Sequence, residues 1–107
     1  MARGSSLDGR LYLQNLLEGI LGSKHVYFQP PESMKLEYPC FIYRRGHNDV
    51  HHADNTAYKK DMQYEILLVD ADPDSIYLDK ILSIPRVRHN RHYASDNLNH
   101  DAFTIYI

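Results

Sequence analysis

Apolar residues first recur along this chain with helical spacing. Leu13, Leu16, Leu17, Ile20 and Leu21 follow the i, i+3, i+4, i+7, i+8 pattern. That spacing predicts an amphipathic helix with one stripe to bury. Asp8 or Ser6 is placed to cap its start and Gly22 to end it. The period then shortens. His25-Val26-Tyr27-Phe28-Gln29 reads as a short strand, stopped by Pro30-Pro31, because neither proline can donate to a ladder. Cys40-Phe41-Ile42-Tyr43 is β-branched and aromatic and predicts a second strand, with Arg44 and Arg45 extending it toward water. Over 58–69, Tyr58, Met62, Tyr64, Ile66 and Leu68 share one parity, while Lys59, Asp61, Gln63 and Glu65 share the other. This is the alternation of a half-buried antiparallel strand. Leu67 and Val69 make its far end apolar on both faces, so something must cover it there.

Further along, Asp72-Pro73 signals a helix start, with Asp as the cap and Pro at the first helical position. Ile76, Tyr77, Ile81 and Leu82 give that helix a short apolar face, and Pro85 closes it. Residues 87–95 alternate weakly in a basic strand, Asp96–His100 forms a turn, and Phe103–Ile107 is a last strand. The expected fold is α+β, a small antiparallel or mixed sheet packed against two helices in the order α-β-β-β-α-β-β. Residues 1–9 are expected to form a flexible N-terminal arm, and 10–107 a single α+β domain. Between the second and third strands, residues 46–57 form a long polar connection carrying His47, His51 and His52. Connections of that length are usually functional or disordered.

Composition narrows the function classes. A chain of 107 residues makes one domain. A net charge of −2 argues against a general role in coating nucleic acid. The single cysteine, Cys40, excludes an intrachain disulfide framework and a four-thiolate zinc site, and gives no sign of secretion. The longest aliphatic run, Ile66-Leu67-Leu68-Val69, falls far below the ~20 residues that span a bilayer. The start, Met1 to Ser6, lacks the apolar stretch of a signal peptide, so a soluble cytoplasmic protein without membrane contact is expected. Nine tyrosines suit both strands and interfaces.

The candidate chemistry is thin. Asp70-Ala71-Asp72-Pro73-Asp74 opens like a calcium loop, but Ser75 and Ile81 stand where such a loop needs Gly and Glu. His47, Asp49, His51, His52 and Asp54 form the densest set of metal-ligand types, suited to zinc, iron or nickel. All five sit in one loop, without the helix-borne pair of imidazoles that would hold a metal rigidly, so a solvated loop or a protein contact is the better reading. Cys40 reads as a buried structural thiol, since no base with an orienting group accompanies it. No glycine-rich phosphate loop is present. Arg86-Val87-Arg88-His89-Asn90-Arg91-His92 holds three arginines, two histidines and no acid. It suits a solvated strand face, an ion-pairing subunit edge, or contact with DNA phosphate. No cofactor and no enzyme activity are expected.

Taken in order, an apolar helix leads into Val26-Tyr27-Phe28-Gln29-Pro30-Pro31, then Tyr38-Pro39-Cys40-Phe41-Ile42-Tyr43, a long hairpin loop, and Met62–Val69. A short helix and a closing hairpin around Asp96-Asn97-Leu98-Asn99-His100 follow. This order and text resemble the tail terminator, or tail-completion, proteins of long-tailed bacteriophages, over about residues 11–107. Terminators often have a longer second helix than this one. The resemblance implies a structural virion protein of the viral tail and neck, assembled in the host cytoplasm. It implies a homo-hexameric ring that caps the tail tube protein and meets a head-side neck or stopper protein. Rings of this kind close through head-to-tail interfaces, for which Tyr and Arg are suitable anchors. On that reading His47, Asp49, His51 and His52 would reach a neighbouring ring. Arg86, Arg88 and Arg91 would line a subunit edge, or a lumen where DNA passing through is touched non-specifically. The alternative within the same particle is a head-closure or neck connector protein, and a small metal-dependent enzyme using the histidine loop is the reading from another class.

Overall fold

The computed structural model describes residues 6–46 and 62–107. Its elements are α1 (Ser6–Leu21), β1 (Val26–Phe28), β2 (Cys40–Arg45), β3 (Gln63–Asp70), α2 (Tyr77–Leu82), β4 (Val87–Ser95) and β5 (Leu98–Tyr106). The fold is α+β, with two helices and one five-stranded mixed sheet in the order β1-β2-β3-β5-β4. β1 runs parallel to β2, and the remaining neighbours are antiparallel. The element order is the expected one. Residues 47–61, which hold most of the long connection and the first part of the 58–69 pattern, lie outside the described residues.

Both helices lie on one face of the sheet. Alternation sends Phe41 and Tyr43 of β2, Tyr64, Ile66 and Leu68 of β3, and Phe103 and Ile105 of β5 into a shared core with Leu13, Leu17 and Ile81 of the helices. Burying each large side chain contributes roughly 1.5–3 kcal/mol, so this layer dominates the favourable side of folding. One polar network crosses it. The buried Tyr43 hydroxyl donates to Gln14 Oε1 at 2.6 Å, and Gln14 Nε2 donates to Glu18 Oε2 at 2.9 Å and to the Val26 carbonyl at 3.1 Å. Gln14 therefore ties α1 to β1 and β2 together. Burial pushes the Tyr43 phenol up, against the opposing pull of the nearby Arg10 guanidinium.

Several boundaries differ from the sequence expectation. Ser6–Gly9 are helical, so α1 takes in the end of the expected flexible arm, and residues 1–5 lie outside the described residues. Gly22, at φ +76°, donates to the Glu18 carbonyl and ends α1 as expected; its positive φ is costly for other residues. Asp72 and Pro73 do not open α2. Asp70 Oδ1 accepts from the Asp72 amide and Asp72 Oδ1 from the Asp74 amide, two successive side-chain turns, and the helix starts only at Tyr77. The last hairpin is tighter than predicted. Asp96 and Asn97 both take positive φ, 55° and 65°, as a two-residue turn of the primed type requires, so β5 begins at Leu98.

A candidate interaction surface on the open face and free edge

The sheet face away from the helices is built from the alternate positions. Its rows run Arg44–Glu65–Thr104–Arg88, then Ile42–Leu67–Ala102–Arg91, then Cys40–Val69–His100–Tyr93, as the strand registers require. An apolar strip of Ile42, Leu67 and Ala102 floors a groove of about 380 Å³, walled by Arg44 and Glu65 on one side and by Asn90, Arg91 and Tyr93 on the other. Arg44 Nη2 and Glu65 Oε1 meet at 2.6 Å. Both are substantially exposed, so the pair orders the rim more than it stabilises the fold. Cys40 and Val69 are buried at the far end. Desolvation pushes the Cys40 thiol up to about 12, so it is a neutral packing group rather than a nucleophile.

β4 forms the outer edge. From Arg88 to Ser95 every residue is exposed, and Val87 is half-buried. A bulge at Asn90, between His89 and Arg91, puts Asn90 on the open face, where its Nδ2 donates to Thr104 Oγ1 at 2.7 Å. Arg88 Nε reaches Asn90 Oδ1 at 3.4 Å. The Arg91 guanidinium lies 5.0 Å from the Tyr93 ring centre, and Tyr93 stacks on His100 at 4.7 Å with the planes 4° apart. Arg86, at φ 69° just before the strand, sits 5.9 Å from the Tyr106 ring. These are cation–π distances that hold the guanidiniums over the sheet. On the helix face, His89 Nε2 lies 2.9 Å from the buried Asp101 Oδ1, and His92 Nε2 donates to Asn99 Oδ1 at 3.2 Å.

The three sequence-predicted arginines are thus brought to one strand and its entry, and the basic strand exists as expected. Arg88 and Arg91 share the open face. His47, Asp49, His51, His52 and Asp54 lie outside the described residues. Among the described residues no three imidazole, thiol or carboxylate groups converge as metal ligands would, and no helix is long and apolar enough to cross a membrane. Sequence reasoning passed over Asn90, Tyr93, His100 and the His89–Asp101 pair. Comparisons with protein-family models, with curated proteins and with solved structures find no match.

Proposed function

We propose that this chain is a structural virion protein, a phage tail terminator, whose copies form a hexameric ring that caps the tail tube and joins it to the head-side neck. The identity of the particle rests on the resemblance carried by Val26–Pro31, Tyr38–Tyr43 and Asp96–His100. The observation that supports an assembly role is β4, a long strand whose side chains from Arg88 to Ser95 are all exposed. A strand of that length, placed at a sheet edge and dressed with Arg and Tyr, is suited to contact with neighbours. In the ring, Arg86, Arg88 and Arg91 would face an adjoining subunit or the lumen.

Deleting the gene in its phage tests the reading. Loss of a terminator gives overlong tails, because tube growth is no longer stopped. Loss of a head-closure protein, the alternative, gives leaking heads beside normal tails. A particle reconstruction that placed the chain away from the head-proximal end of the tube would overturn the terminator assignment.

A further inference from the structure

We infer that β4 is a docking strand, which takes an extended acidic segment of a partner protein onto its free edge by strand addition. The inference goes beyond the ring reading, since a ring can close through other surfaces, and it survives that reading's failure. It begins with the direction of the backbone groups. Met62 and Ile107 exchange both hydrogen bonds, N to O at 2.8 Å and 2.9 Å, so they form a hydrogen-bonded pair of the β3–β5 ladder. In an antiparallel ladder such pairs alternate. Counting along β5, Ile105, Phe103 and Asp101 aim their amides and carbonyls at β3, while Thr104, Ala102, His100 and Leu98 aim theirs at β4. The β4 partners of that second set are Arg88, Arg91, Tyr93 and Ser95. The backbone groups of Val87, His89, His92 and Ala94 therefore point outward, away from the sheet. Among the described residues none of these four finds a hydrogen-bond partner for them.

Two of the usual defences of an edge, proline and short length, are absent from β4, while a bulge at Asn90 and charged side chains are present. α2 packs against β4 from the helix side, but among the described residues it supplies no hydrogen bond to the outward backbone groups of Val87, His89, His92 and Ala94. The charge that β4 carries is of one sign. Arg88 and Arg91 stand on the open face, His89 and His92 on the other, and 86–95 contains no acid. A strand added to this edge would place alternate side chains beside Arg88 and Arg91. Acidic residues there make opposite-charge cross-strand pairs, whereas basic ones repel. Backbone pairing supplies the affinity and the arginines select the sign, as in other strand-addition sites. A peptide fits better than nucleic acid, because the outward row offers carbonyl acceptors alternating with amides. Phosphates would use only the donors.

The test uses the whole chain and a labelled peptide of alternating Glu and Thr as long as β4, with a Lys–Thr peptide and oligo-dT as comparisons. The expected result is binding of the Glu peptide only, with slowed amide exchange at His89, His92 and Ala94. Ala94→Pro removes one outward donor without touching the ladder, and should weaken binding about tenfold or more while the circular dichroism spectrum stays unchanged. Arg88→Glu with Arg91→Glu should shift the preference to the Lys peptide. The inference is overturned if the Glu peptide does not bind, if oligo-dT binds as well or better, if the protected amides lie elsewhere, or if folded Ala94→Pro binds undiminished.

Discussion

The two edges of this sheet are treated in opposite ways. β1 is three residues long and is plugged at Val26. Its exit is Gln29, at φ 44°, followed by Pro30-Pro31. The Val26 amide donates to the Lys24 carbonyl and the Val26 carbonyl accepts from Gln14 Nε2, while Arg10 lies over the Phe28 ring at 4.7 Å. β4, at the other edge, is nine residues long, exposed and unproline-bearing. A protein that plugs one edge with a helix side chain has the means to plug both. Leaving the outward backbone row of β4 unpaired among the described residues, and coating the strand with arginine, separates the edge that completes the fold from the edge that is offered to something else.

The largest expected effect falls on the closed edge. Gln14→Ala takes the acceptor from the buried Tyr43 hydroxyl, which keeps its contact with Arg10, and the donor from the Val26 carbonyl, and should lower stability by about 1–3 kcal/mol in a urea titration. A variant as stable as the parent would mean that the plug on β1 is incidental. A smaller effect compares neighbouring positions on the open edge. Ser95→Pro removes a ladder donor and should cost about 1 kcal/mol or more relative to Ala94→Pro, which removes an outward one. Equal losses in the two variants would contradict the assigned direction of the β4 backbone. An effect confined to alkaline pH concerns Cys40, on β2 away from the free edge. The folded chain keeps a thiol proton that the unfolded chain releases from about pH 9.0 upward. Its contribution is therefore complete below pH 9.0 and is lost as pH rises toward 12. The midpoint of thermal unfolding should fall more steeply above pH 9.0 in the parent than in Cys40→Ala, and matching slopes would remove Cys40 from the account.

Much of the closed side is legible in the sequence. The stripe Leu13–Leu17–Leu21 and the parity of Tyr64, Ile66 and Leu68 are both read from spacing, because burial forces period on a chain. The helix start at Asp72-Pro73 misleads. Consecutive Asp side chains bond their own downstream amides more readily than they cap, and the cap signal is the same residue type. The open side is harder to read. An edge strand exposed on both faces has little periodicity to show, so β4 is visible mainly as a basic run. Its partners were nonetheless within reach of counting. Once Asp96-Asn97 is taken as a two-residue turn, Ser95 meets Leu98, Ala94 meets Asn99, and Tyr93 meets His100. The bulge at Asn90 is beyond such counting, because a single extra residue leaves no mark in a polar stretch.

Amide hydrogen exchange on the monomeric chain tests the contrast of the two edges most directly. The account predicts an alternating pattern along β4, with Arg88, Arg91, Tyr93 and Ser95 slow and Val87, His89, His92 and Ala94 fast, while the Val26 amide at the opposite edge is slow. Uniform protection along β4, or a Val26 amide that exchanges as fast as that of Ala94, would contradict it.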